Sequence, residues 1–190
     1  MILLKKGGVV YMAQSFDLTQ PFTTERDFVG YDENLLIWRD DTKPHRLISV
    51  IGAGNERKRD ILRYGSIFPK RLSKREMVDE TYYKIYNSLG EYGLCETDST
   101  GCNVLLAEKS KAYCICDDSA VYEIEHFLAN CIDNDIATAS YLKNADLPAY
   151  ELIRAIYRDV ERVAKIVQFP VVVLNTKTDE KVIIEREDRA

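Results

Sequence analysis

Hydrophobic periodicity lays out the elements of this chain in one order: strands, two helices, a hairpin, two helices, strands. Neither a strand pair nor a helical pair can bury its apolar face alone, and each half of the chain supplies both. Two stacked sheets with helices outside them is the arrangement that covers all of these faces at once. The 190 residues read as one domain spanning 1–190, which at this size buries roughly 70% of its unfolded surface.

Residues 2–4 and 9–13, joined through Lys5, Lys6, Gly7 and Gly8, predict a hairpin whose glycines supply the positive φ of a tight turn. Residues 14–33 are polar, with Pro21 and Gly30, and read as a long loop or ragged strand. Apolar runs at 35–38 and 47–51 bracket a second hairpin turn at 39–44. Asn55 can cap a helix running to Tyr64. Ser73 and Glu76 form a capping box for a second helix. Its apolar side is Met77, Val78, Thr81, Tyr82, Ile85, Tyr86 and Leu89, and Gly90 is its expected stop.

The second half repeats the pattern. Residues 104–107 and 112–116 flank a turn at 108–111, and a short strand is expected at 121–125. A helix over 134–142 precedes the clearest helix of all, opened by Asp146 and Pro148. Its stripe is Leu152, Ile153, Ile156, Tyr157, Val160, Val163, Ala164 and Val167. Residues 171–174 and 181–184 close the chain as a last hairpin.

Composition excludes several function classes. A net charge of −5 leaves no basic footprint for nucleic acid. The densest basic run, Lys70-Arg71-Leu72-Ser73-Lys74-Arg75, is read as a solvated helix start. No apolar stretch reaches the roughly 20 residues of a membrane span, and the Met1-Ile2-Leu3-Leu4 start lacks a basic region ahead of it. Five cysteines, an odd number without framework spacing, point to a reducing compartment and a cytoplasmic chain.

Candidate chemistry is weighed group by group. Gly52-Ala53-Gly54 lacks the third glycine and the Lys-Ser/Thr of phosphate loops, so it reads as a plain turn. Ser15 and Asp17, with Thr19, Thr23 and Thr24 nearby, have only His45 and His126 as conceivable bases. Cys131 would need a helix N-terminus to become a reactive thiol. Cys95, Cys102, Cys114 and Cys116 lack the paired spacing of a zinc site, although Cys114 and Cys116 fall on one sheet face. Asp133, Asn134 and Asp135 are read as helix-capping rather than calcium-binding. Tyr82, Tyr83 and Tyr86 are read as core and interface aromatics. No catalytic, cofactor-binding or metal-binding residue, and no cofactor, is assigned.

The segment Gly7-Gly8-Val9-Val10-Tyr11-Met12-Ala13-Gln14-Ser15 resembles the front of the proteasome β-subunit family, most of all the bacterial heat-shock-locus peptidase. Arg46-Leu47-Ile48-Ser49-Val50-Ile51-Gly52-Ala53-Gly54 is similar to its strand-to-helix passage. Cys102-Asn103-Val104-Leu105-Leu106-Ala107-Glu108-Lys109 resembles its central hairpin, and Val171-Val172-Val173-Leu174-Asn175-Thr176 its closing strand. The resemblance implies an α+β, four-layer αββα sandwich of the proteasome-like N-terminal-nucleophile (Ntn) hydrolase type. It also implies self-association into a ring or dimer of rings, with any partner such as an ATPase unknown.

The family's nucleophile is an N-terminal threonine whose own α-amine, of pKa about 8, is the general base. Carried over, that threonine falls shortly before Met1. Gln14 stands where the family has an aspartate, and no lysine occurs between Lys6 and Lys43. Residues 129–135, Ala129-Asn130-Cys131-Ile132-Asp133-Asn134-Asp135, replace the family's Gly-Ser-Gly loop. The expectation is therefore a proteasome-like protein without peptidase activity, a structural or regulatory subunit of a homo-oligomer. The alternatives are a threonine-type peptidase whose true start lies upstream, or a new site using Ser15, Asp17 or Cys131.

Overall fold

The computed structural model describes residues 1–16, 37–41, 43–51, 56–65, 67–69, 72, 75–95, 99–130, 133–164 and 168–186. The described residues form two five-stranded antiparallel sheets faced by four helices. Strands β1 (Ile2–Lys6), β2 (Val9–Phe16), β8 (Phe127–Ala129), β9 (Gln168–Asn175) and β10 (Lys181–Ile184) make sheet A, in the order β10-β9-β2-β1-β8. Strands β3 (Ile37–Asp40), β4 (Lys43–Ile51), β5 (Asn103–Glu108), β6 (Lys111–Ile115) and β7 (Val121–Glu123) make sheet B in simple sequence order. The helices are α1 (Glu56–Tyr64), α2 (Arg75–Gly90), α3 (Asn134–Lys143) and α4 (Ala149–Ala164).

Alternation along each strand divides the buried side chains into three layers. Leu3, Val10, Met12, Leu47, Ile51, Leu105 and Leu174 meet between the sheets. On the outer face of sheet A, Ile2, Leu4, Ala13, Val171 and Val173 receive the Leu152, Ile153, Ile156, Tyr157 and Val160 stripe of α4. On the outer face of sheet B, Ile48, Val50, Val104, Leu106 and Tyr113 receive Leu62 of α1 and Tyr82, Ile85 and Leu89 of α2. The result is the expected helix–sheet–sheet–helix sandwich.

Local chemistry explains the boundaries and several departures from the sequence reading. Gly7 and Gly8 both take positive φ, 59° and 76°, the paired conformation of a type I′ hairpin turn. Gln14–Phe16 continue β2 instead of opening a loop, because β9 supplies pairing partners through Ser15↔Val171. Gly90 ends α2 as expected, and the turn that follows caps it. The left-handed residue is Gly93 (φ 67°), with Leu94 N donating to Leu89 O and Gly93 N to Gly90 O, the paired bonds of a Schellman cap. Val163, read into the α4 stripe, is 64% exposed. Strand β8 was not anticipated. It spans three residues, and its partner β1 lies far away in sequence. Asn55, Ser73 and the 52–54 turn lie outside the described residues.

Arg46 and Arg39 tie distant pieces together. The Arg46 guanidinium is 1% exposed and donates to Glu108 Oε2 (2.5 Å), Asp40 Oδ2 (3.3 Å) and the Pro69 carbonyl (2.6 Å). Arg39 on β3 donates to the carbonyls of Asn175 (3.0 Å) and Thr178 (2.6 Å), joining sheet B to the β9–β10 turn of sheet A. Burial, the larger effect, lowers its pKa.

Candidate functional site at the start of strand β1

The family resemblance directs attention to the end of the sandwich where β1 begins. There the β1–β8 ladder, which pairs Ile2 with Ala129, runs one residue further. Met1 N donates to Asn130 O at 2.7 Å, and Asn130 N returns a bond to Met1 O at 2.9 Å. The Met1 side chain is 5% exposed and lies between the sheets, where Ser49 Oγ donates to its sulfur at 3.2 Å.

Gln14 shares that inter-sheet face. It follows Val10 and Met12 at strand spacing, and the β1–β2 register, Ile2↔Ala13, continued by one pair sets it opposite Met1. It is 9% exposed. From the helix side, Tyr157 of α4 donates its hydroxyl to Ala13 O at 2.7 Å, and burial raises its phenol pKa. The side chains of Met1, Gln14 and Ser49 are all neutral. A thioether, an amide and a hydroxyl held against sulfur offer packing and hydrogen bonding, with no side-chain acid or base among the three.

The other sequence candidates do not converge here. Ser15, one residue on from Gln14, points to the opposite, helix-facing side of sheet A. His45 and His126 are exposed. His45 lies four residues before Ser49 on β4, while the His126 carbonyl accepts from Lys5 N, so both sit toward the other end of the strands. The four described cysteines separate into two pairs: Cys102 and Cys95 belong to the helix side of sheet B, Cys114 and Cys116 to the inter-sheet side. Among the described residues, no group of three or more His, Cys, Asp or Glu is placed to hold a metal ion. Asp133 is the N-cap of α3, its Oδ1 accepting from Ile136 N at 3.0 Å. Tyr82 is buried while Tyr83 is 66% exposed. Asp17, Thr19, Thr23, Thr24 and Cys131 lie outside the described residues.

Ser49, Asn130 and Tyr157 were not singled out as site residues. Only Ser49 left a signal, a lone hydroxyl at an inward position of an apolar strand run.

No family model matches this chain, and no curated protein matches it. Solved structures do. BPH of Thiobacillus denitrificans, in complex with epoxomicin, superposes with a TM-score of 0.72 at 15% identity, covering 92% of this chain and 96% of that one. HslV from Trypanosoma brucei gives a TM-score of 0.60 at 12% identity over 92% and 97% of the two chains. The helical assembly of the Anbu complex from Pseudomonas aeruginosa gives 0.62 at 13% identity over 98% and 87%. The fold is proteasome-like, of the Ntn-hydrolase type. At such identities the likeness is one of architecture. Within the proteasome-like fold, the described residues therefore carry Met1 and Gln14 at the β1 end of the inter-sheet layer. No helix of the chain's described residues is long and apolar enough to cross a membrane.

Proposed function

We propose that this chain is a single-domain proteasome-like subunit without peptidase activity, working as a structural or regulatory part of a homo-oligomeric assembly. The observation that carries the reading is Gln14. The resemblance assigns an aspartate to this position, and here a neutral amide is buried opposite Met1, the residue before β1. An amide cannot hold the charge of the lysine that the inherited chemistry requires. The thioether of Met1 against Ser49 supports the same reading, since it fills the inter-sheet space with packing groups. Self-association is supported by a neighbour of the same fold that is described as a helical assembly. The odd cysteine count supports a reducing, cytoplasmic setting.

The test is incubation of the purified protein with fluorogenic peptides and casein, alongside sedimentation. The expected result is no turnover from an oligomer. Turnover that a covalent threonine-protease inhibitor abolishes overturns the non-catalytic reading in favour of a threonine-type peptidase. A monomer at all concentrations overturns the assembly role.

A further inference from the structure

The inter-sheet face of sheet B carries a second sulfur group, independent of Met1. One ladder row runs Ile37, Ser49, Leu105, Cys114, Tyr122 across all five strands. Cys114 is 1% exposed, and two residues along on the same face stands Cys116, half-buried at the sandwich margin. Their sulfurs are 3.8 Å apart. Tyr122, opposite Cys114 on edge strand β7, is 44% exposed, so the pair lies beside solvent at the sheet edge.

We propose that Cys114 and Cys116 are a reversible oxidation site, closing to an intrastrand disulfide when a hydroperoxide reaches the edge of sheet B. The more exposed Cys116 sulfur takes the terminal oxygen of the hydroperoxide, ROOH, becoming a sulfenic acid and releasing ROH. The Cys114 sulfur then attacks the Cys116 sulfur, the S–O bond breaks, and the hydroxyl leaves as water with the Cys114 proton. Two thiols and ROOH thus become one disulfide, ROH and water, and an external dithiol reverses the change.

The geometry brings the two sulfurs within reach of each other and favours a bond that yields readily. Residues two apart on a strand have Cα atoms about 6.6 Å apart, inside the roughly 4.4–6.8 Å that disulfides span but near its upper limit. The parallel Cβ atoms of such a pair must come in to about 4 Å, so closure bends the backbone just past the end of β6 and leaves strain that eases reduction. The contraction acts on a tightly held turn. Cys116 N donates to Ala120 O and Ser119 N to Cys116 O, while the Asp117 carbonyl accepts from Tyr82 Oη of α2 and from Thr100 N. The remaining described thiols, Cys95 and Cys102, lie on the other face of sheet B and are shielded from this exchange.

The test treats the full chain with hydrogen peroxide and reads intact mass, free-thiol count and the peptide carrying both cysteines. The expected product is a chain lighter by two hydrogens, with that peptide lighter by the same amount and restored by dithiothreitol. Cys116→Ser, at the half-buried position, loses this product and retains the melting temperature of the wild type. If that variant misfolds, the wild-type peptide map decides alone. A chain that only gains oxygen, a bond that joins other cysteines, or an unchanged mass overturns the proposal.

Discussion

The Tyr157 hydroxyl donates to the Ala13 carbonyl at 2.7 Å, linking α4 to β2 one residue before Gln14. Tyr157 is fully buried, so its ring packs against sheet A while its only polar atom is satisfied by backbone. Tyr157→Phe keeps the ring and deletes the donor. The expected loss is about 1 kcal/mol, the ordinary net worth of a buried hydrogen bond. Tyr157→Ala removes the ring as well and should cost about 3–5 kcal/mol. Urea denaturation reads both. A Phe variant as stable as the wild type would show that this bond contributes nothing to the seam.

Arg46 poses a different energetic problem. It is buried against two carboxylates whose side chains are 14% and 18% exposed, Asp40 and Glu108. Arg46→Ala removes the buried cation that both acids share and empties the donor position under Pro69, which should cost about 3–5 kcal/mol. Replacing the whole group, Arg46→Met with Asp40→Asn and Glu108→Gln, removes the charges together and should recover most of that loss. Melting temperatures of the single and triple variants decide it. A triple variant no better than Arg46→Ala would mean that the loss comes from the guanidinium's own hydrogen bonds, the one to the Pro69 carbonyl included, and not from unpaired charge.

These two anchors also show what could be read from sequence. The α4 stripe, Val163 apart, and the apolar run 47–51 are local patterns, so their burial was legible, as was the capping role of Asp133. Gly90 marked the end of α2 correctly, but the left-handed residue of its cap is Gly93, a choice the sequence left open. Strand β8 escaped because three residues carry no period. Its existence depends on the Ile2↔Ala129 pairing across most of the chain. The approach of Cys114 to Cys116 was half legible: spacing gave the shared face, and only the fold gave the sulfur separation and Tyr122 beside it.

Burial pushes the Cys114 thiol up to about 12, and contact with Cys114, then burial, raises the Tyr122 phenol. Tyr157 is raised by burial in the same direction. The folded chain therefore keeps protons that the unfolded chain releases first. Stability from these groups is fully present below the unfolded thiol pKa, about 8.5, and falls as pH rises toward 12. Urea midpoints should decline through this window. Cys114→Val, which fills the site without a titrating group, should decline less steeply than the wild type. Parallel slopes for the two proteins would mean that the Cys114 site is wetter than its 1% exposure indicates.

Gln14→Asp tests the functional reading through stability instead of turnover. The substitution sets a carboxylate beside the thioether of Met1 and the hydroxyl of Ser49 in the inter-sheet layer. Burial disfavours the charged form more than the Met1 ammonium, itself bonded to Asn130 O, favours it, and so raises the folded-state pKa of the new acid. Stability is then present below the unfolded aspartate value, about 3.9, and lost as pH rises through the folded value. The variant should melt below the wild type, with a gap wider at pH about 8 than at pH about 4. An aspartate that lowers stability in this way gains too little from any cation to offset its burial, as the proposed non-catalytic role requires. Equal melting temperatures at the higher pH would reveal a cation facing position 14 and remove the main support for a non-catalytic subunit.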